Sequence, residues 1–280
     1  MKRLQFEICQ TTIEVLADKD IKTKGNSALF LDDVRQPELT IICDAIDGIC
    51  PTGKMIGQIN DKAAYVLNNN IQRYALNEGR PYAALTYQPQ YFEKLHLEVE
   101  QEDWNWATDH LRFWITACLP VLLLHFRALI FHASYIDYNG HGILFTAPSG
   151  TGKSTQAELW KKYRGAKILN GDKAGISLKQ RAMAHGVPFS GTSGICENVS
   201  LPLKAIVVLS QASENTVKRL PPSEAVASLC PNVFVDQLVN EEWVTALNLL
   251  LDLVTEVPVY TLACTPDVRA VEALVAVLGF

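Results

Sequence analysis

The stretch Gly142-Ile143-Leu144-Phe145-Thr146-Ala147-Pro148-Ser149-Gly150-Thr151-Gly152-Lys153-Ser154-Thr155 decides how this chain reads. Ile143 to Phe145 is a short apolar run of the kind a buried strand needs. Ala147 to Gly152 is a loop of small residues, and Thr155 to Arg164 has a helical pattern closed by Gly165. Strand, small-residue loop, Lys-Ser and helix, in that order, are the context a phosphate-binding P-loop (Walker A) requires. Successive loop N–H groups then point at one phosphate, and the helix N-terminus adds its partial positive charge. Nucleotide phosphates are expected on Ser149, Gly150, Thr151, Gly152, Lys153, Ser154 and Thr155. Lys153 would reach the outer phosphates and the Ser154 hydroxyl would ligate Mg²⁺. Alanine replaces the usual first glycine at position 147. It is the smallest stand-in, with less freedom for positive φ.

A second stretch has the same lettering. Gly48-Ile49-Cys50-Pro51-Thr52-Gly53-Lys54-Met55 shows Gly-x4-Gly-Lys, but methionine stands where the metal-binding hydroxyl belongs and no amphipathic helix follows. It reads as a turn.

The chain has 280 residues, 48% hydrophobic and 20% charged, an ordinary globular composition. A net charge of −5 offers no basic field for nucleic acid or an anionic membrane. The N-terminus has no signal-peptide core. The most apolar stretch, Phe113 to Leu124, is too short to span a bilayer and contains Pro120. Seven scattered cysteines include no Cys-x-x-Cys pair, which points to a reducing cytoplasm and against a disulfide scaffold or zinc site.

The expected class is α/β (α+β): a β-rich region over residues 1–100, a connecting helix over 101–127 and a P-loop domain over 128–280. Short β runs are expected at Leu4–Ile8, Thr12–Leu16, Ala28–Leu31, Leu39–Cys43, Ala63–Leu67, Ile71–Ala75, Tyr82–Tyr87 and Leu95–Val99, with Asn68-Asn69-Asn70 as a hairpin turn. Asp103 to Phe126 reads as one long helix, apolar round much of its circumference. Leu129–Ile136 and Gly142–Thr146 form a hairpin through Asn139-Gly140, and Lys167–Asn170 is the strand after the P-loop helix. Further on, Ser223 is expected to cap a helix to Leu229. Asp236–Val254 reads as a long helix, and Thr265-Pro266-Asp267 opens the last one.

Three features around the loop bear on chemistry. His132 sits one hairpin from the phosphates, as a core histidine or as an acid/base group. Asp172 ends an apolar strand, as a turn residue, or as a carboxylate that holds Mg²⁺ through water or takes a proton from an attacking hydroxyl. Residues 186–200 carry Ser190, Thr192 and Ser193 among Gly191 and Gly194, as a mobile connection, an anion nest or a substrate clamp.

The segment from His132 through the P-loop resembles the HPr kinase/phosphorylase family, related to phosphoenolpyruvate carboxykinases. In that family a histidine begins a hairpin leading into Gly-x-Ser-Gly-x-Gly-Lys-Ser. Here His132 stands nineteen positions, counted inclusively, before Gly150, and Ala147 to Ser154 matches the loop apart from its first residue. The family's next strand ends in an Ala-Asp-Asp-Ala type motif; Asn170-Gly171-Asp172-Lys173-Ala174 keeps one of the two acids. The resemblance covers about residues 128 to 210. It implies a kinase-type fold and site with ATP and Mg²⁺, with Lys153, Asp172 and His132 as the catalytic set and Ser154 and Asp172 as the metal-facing pair. The implied reaction moves the γ-phosphoryl of ATP to a hydroxyl, plausibly a serine, of a peptide, protein or small molecule. A non-catalytic nucleotide-binding regulator and a carboxykinase-like reaction on a small acid stay open beside it. A homo-oligomer is compatible with every one of these readings.

Overall fold

The computed structural model describes residues 1–280. The chain forms two compact units, Met1–His125 with Asp236–Trp243, and Phe126–Val235 with Val244–Phe280. Both are built on large sheets, and the class is mixed α+β.

The first unit is an eight-stranded sheet of β1 (Lys2–Ile8), β2 (Thr11–Ala17), β3 (Leu39–Ile46), β4 (Lys54–Ile59), β5 (Lys62–Leu67), β6 (Asn70–Asn77), β7 (Arg80–Gln88) and β8 (Tyr91–Glu100). Its order is β1-β2-β3-β8-β7-β6-β5-β4. The β2–β3 and β3–β8 pairs are parallel. Asn68 and Asn69 turn the β5–β6 hairpin with φ of 50° and 64°, a conformation asparagine tolerates.

One expectation fails here, and one strand is unexpected. Ala28–Leu31 is not a strand but the end of a 3-10 turn, Gly25–Phe30, in which the Leu31 N–H bonds back to the Ala28 carbonyl. The Gly48–Lys54 turn stands, but a strand comes immediately after it: β4 begins at Lys54 and pairs with β5.

The single helix expected over Asp103–Phe126 is three: α1 (Trp104–Ala107), α2 (Leu111–Thr116) and α3 (Leu119–Leu124). The chain breaks at His110 and Cys118, with φ of 45° and 53°. A straight helix apolar on all sides would leave much of that surface in water. The breaks turn Trp104, Phe113, Trp114, Leu119 and Val121 to Leu124 inward, all buried, with Trp114 edge-on to Phe6 at 4.9 Å.

A buried ion cluster completes this unit. Arg73 on β6 meets the carboxylates of Asp236 and Glu242, and the Tyr87 hydroxyl donates to Glu242. Asp236 also accepts from Lys62 and from the Leu238 N–H. These ties hold Asp236 outside the helix expected to begin there, and α6 runs Asn240–Glu256.

The second unit contains β9 (Ala128–Tyr138), β10 (His141–Thr146), α4 (Lys153–Arg164), β11 (Lys167–Asn170), β12 (Lys173–Ser177), β13 (Met183–His185), β14 (Ser200–Gln211), β15 (Thr216–Arg219), α5 (Pro222–Leu229), most of α6, β16 (Val259–Cys264) and α7 (Val268–Leu278). Strand order is β10-β9-β12-β13-β14-β16-β15, with β11 beside β9 and β10 also pairing β14. Strands β9, β12, β13, β14 and β10 therefore close into a ring. Helices α4 and α7 cover part of it through a core of Ile143, Phe145, Trp160, Val207, Leu262, Val271 and Leu274. Burial at about 25 cal/mol per Å² of apolar surface makes this layer the scaffold that fixes the loop between β10 and α4.

Two caps differ from expectation. Pro221, not Ser223, flanks α5, and Pro222 opens it. Asp267 caps α7 by accepting the Arg269 N–H, so Pro266 lies outside the helix. No helix in the chain is long and apolar enough to cross a membrane.

Candidate functional site

The loop between β10 and α4 is shaped by its glycines. Gly150 and Gly152 have φ of 78° and 118°. A Cβ added at Gly150 would meet nothing within 4 Å, and one at Gly152 only the Thr155 Cβ at 4.0 Å. The loop thus turns through left-handed backbone around open space. Gly152 flanks the twelve-residue helix α4, whose first N–H groups have no intrahelical partner. Gly165, also left-handed at φ 68°, closes its other end. Ala147 is fully buried against the Trp160 core and is not among the residues of positive φ, so a methyl fits where glycine was expected. Ser149, Ser154 and Thr155 are exposed, and Thr151 is half-buried.

Lys153 is 8% exposed. Its Nζ donates to the carbonyls of Ala147 at 2.9 Å and Pro148 at 3.3 Å, so the ammonium lies back across its own loop. Burial lowers its pKa, and the Asp172 carboxylate opposes that fall.

Asp172 lies in the two-residue step between β11 and β12. Asn170 builds that step: its Oδ1 accepts the N–H groups of Asp172 and Lys173 at 3.0 and 3.1 Å, and its amide donates to the carbonyls of Val187 and Phe189. Strand β9 fixes it from the other side, through Ala133 N–H to the Asp172 carbonyl and the Ser134 hydroxyl to the Gly171 carbonyl. His132 on β9 stands opposite Lys173 in the β9–β12 register. Its Nδ1 is 3.3 Å from Asp172 Oδ1. Burial lowers the His132 pKa, the Lys153 charge lowers it further, and Asp172 opposes both. Lys153 and Asp172, apart from it in sequence, both act on the ionisation of His132, and Asp172 acts on that of Lys153.

The serine- and glycine-rich segment 186–200 reaches the same place. A Cβ on Gly191 would meet the Asp172 carboxyl carbon at 2.5 Å, and one on Gly171 would meet the Ser193 hydroxyl at 2.3 Å. Glycine at both positions lets this segment lie directly on Asp172. The Ser193 hydroxyl donates to the Ser190 carbonyl, closing the turn around Gly191.

Sequence reasoning missed the pairing of Lys173. Its Nζ is 2.6 Å from Asp172 Oδ2, and it lies over the rings of Phe234 and Phe189 at 5.0 and 5.9 Å. The alternation of β12 could have flagged it, since an inward lysine among Ala174, Gly175 and Ile176 needs an anion. The partner rings, from distant segments, carry no local signal.

No three His, Cys, Asp or Glu side chains gather to cage a metal. The loop offers the Ser154 hydroxyl, and one carboxylate, Asp172, acts on the ionisation of its lysine. That set suits Mg²⁺ brought by a nucleotide, which keeps its waters and phosphate oxygens.

No curated protein matches this chain. Among solved structures it is similar to the Hpr(Ser) kinase/phosphatase from Coxiella burnetii, at 11% identity and a TM-score of 0.31, over 54% of this chain and 87% of that one. A similarity that loose transfers no residue from one protein to the other. A family model matches residues 100–276, more than half of the chain: the protein belongs to the family described as SynChlorMet cassette protein ScmC.

Proposed function

We propose that the protein is an ATP-dependent phosphotransferase that moves a γ-phosphoryl group to a hydroxyl of a peptide, protein or small molecule. The observation that carries this reading is the convergence of Asp172 and His132 on the lysine of a glycine-shaped loop at a helix N-terminus. The loop N–H groups and the start of α4 would bind the phosphates, and Lys153 would leave the Ala147 and Pro148 carbonyls for the outer phosphate oxygens. Ser154 and Asp172 would hold Mg²⁺, which when bound neutralises charge on the phosphate oxygens. The acceptor oxygen attacks the γ-phosphorus, the bond from phosphorus to the bridging oxygen breaks, and ADP leaves. The acceptor proton passes to the Asp172 carboxylate, which His132 orients. The segment around Gly191 lies where it would exclude water and bound the acceptor.

The test is transfer of labelled phosphate from ATP to proteins or metabolites of a cell extract. Wild-type protein should label a discrete acceptor, and Asp172→Asn should not. Undiminished transfer by Asp172→Asn would remove Asp172 as the base.

One observation favours a second reading, a nucleotide-binding regulator that does not transfer phosphate. Both Asp172 oxygens have neighbours, Lys173 and His132, and Lys153 rests on its own loop. Tight ATP binding with neither transfer nor ATP hydrolysis would establish that reading instead.

A further inference from the structure

We propose that Lys173 is a second phosphate-binding cation, touching only the terminal phosphoryl group, so that the site distinguishes a nucleoside triphosphate from a diphosphate. This rests on the phosphotransferase reading and deepens it.

Two ammonium groups, Lys153 and Lys173, flank one carboxylate, Asp172. Both lysines are largely withdrawn from water, at 8% exposure for the Lys153 residue and 18% for the Lys173 side chain. A desolvated centre with one more positive than negative charge calls for an anion. The adjacent loop, with its unpaired helix N–H groups, is built to receive one.

Geometry then separates the two lysines. Lys153 belongs to the loop and contacts its carbonyls, so it serves every phosphate seated there. Lys173 stands on a different strand, with its ammonium on the carboxylate that would take the acceptor proton. Its backbone N–H is held by Asn170 and its ammonium by Asp172 and two ring faces. Three N–H donors leave capacity beyond the single Asp172 bond. The phosphate nearest the acceptor base is the terminal one. Lys173 is therefore placed for that group and not for the phosphates of ADP.

The test uses the full chain and two probes, ADP and the non-hydrolysable triphosphate AMP-PNP, with affinities from calorimetry. Lys173→Met should weaken AMP-PNP about tenfold, as expected for one charge-assisted contact, and leave ADP within about twofold. Retained ADP binding also shows that the variant is folded. Lys153→Ala should weaken both ligands.

Losing Lys173 also strips Asp172 of its ammonium partner, and the uncompensated carboxylate would repel a phosphate. The Asp172→Asn background separates the two effects. If Lys173 touches the phosphate, Lys173→Met in that background still binds AMP-PNP about tenfold more weakly than Asp172→Asn alone. Equal affinities there would overturn the proposal, as would equal loss of ADP and AMP-PNP in the single variant. Such results with transfer still dependent on Lys153 and Asp172 would sink this inference alone. Wild-type protein that binds neither probe would sink the phosphotransferase reading with it.

Discussion

Two stretches of this chain share nearly the same letters and do opposite things. At Gly48–Lys54, Gly53 has φ of 89° and its backbone presses on β5, where an added Cβ would meet the Val66 carbonyl oxygen at 2.4 Å. At Ala147–Lys153, Gly152 has φ of 118°, and the space over Gly150 and Gly152 is open. Lys54 is exposed and starts a strand, whereas Lys153 is buried and starts a helix. In the first glycine pair, Gly53 lets the chain approach itself. The second leaves room for something else. In a strand, successive N–H groups alternate in direction and pair with a neighbour, so they cannot converge on an anion. At a helix start they point the same way and lack partners. The element that begins after the second glycine, strand or helix, decides whether the spacing is a site.

The largest contrast should appear in catalysis. Lys153→Ala should lower transfer by about 10²–10³-fold or more, the cost of a lost phosphate clamp. Lys54→Ala should stay within about twofold of wild type. Loss of transfer in both variants would erase the distinction between the two loops. Asp172→Asn tests the neighbour that only the second loop has, and should cost about 10²–10⁴-fold in turnover while ADP binding persists.

Acid separates the scaffold from the loop. His185 donates or accepts between the hydroxyls of Ser177 and Ser200 at 2.8 and 2.7 Å, and burial lowers its pKa to about 4. The folded value lies below the ordinary 6.5, so the unfolded chain takes the proton first. This part of the stability is full above pH 6.5 and is lost as pH falls toward 4, amounting to about 3 kcal/mol. Denaturant titrations across that range should show the decline, and His185→Gln should flatten it. Lys153→Ala should leave it unchanged.

The smallest contrast is conformational. Gly53→Ala should destabilise the protein by about 1–3 kcal/mol, because the methyl has nowhere to go and φ is positive. Nucleotide affinity should be unaffected. Gly150→Ala meets no atom, so it should cost only about 1 kcal/mol of backbone strain and show mainly in nucleotide affinity. A reversed pattern would mean that the crowded turn, not the open one, is the working loop.

Local order made the second loop legible. Asn139-Gly140 signals its hairpin and adopts φ of 52° and 74°, Lys167–Asn170 is a strand with the expected bounds, and Gly165 closes α4. The positions of His132 and Asp172 along the chain were readable for the same reason, since each lies one strand from the loop. Long-range terms hid the rest. Gly191 on the Asp172 carboxyl, Lys173 over the rings of Phe189 and Phe234, and Arg73 with Asp236 and Glu242 join segments with no shared periodicity. Helix breaks at His110 and Cys118 use positive φ in residues that seldom adopt it, so no residue preference announces them. β4 escaped notice because Gly57 interrupts its pattern; that glycine lies against the Leu238 carbonyl, where a Cβ would sit 2.7 Å from the oxygen.

The most direct test of the central claim is the affinity of the full chain for ATP with Mg²⁺, measured by calorimetry for wild type, Lys153→Ala and Lys54→Ala. Binding by wild type, at least about tenfold weaker binding by Lys153→Ala and unchanged binding by Lys54→Ala is the predicted result. Wild-type affinity in a folded Lys153→Ala variant would contradict it.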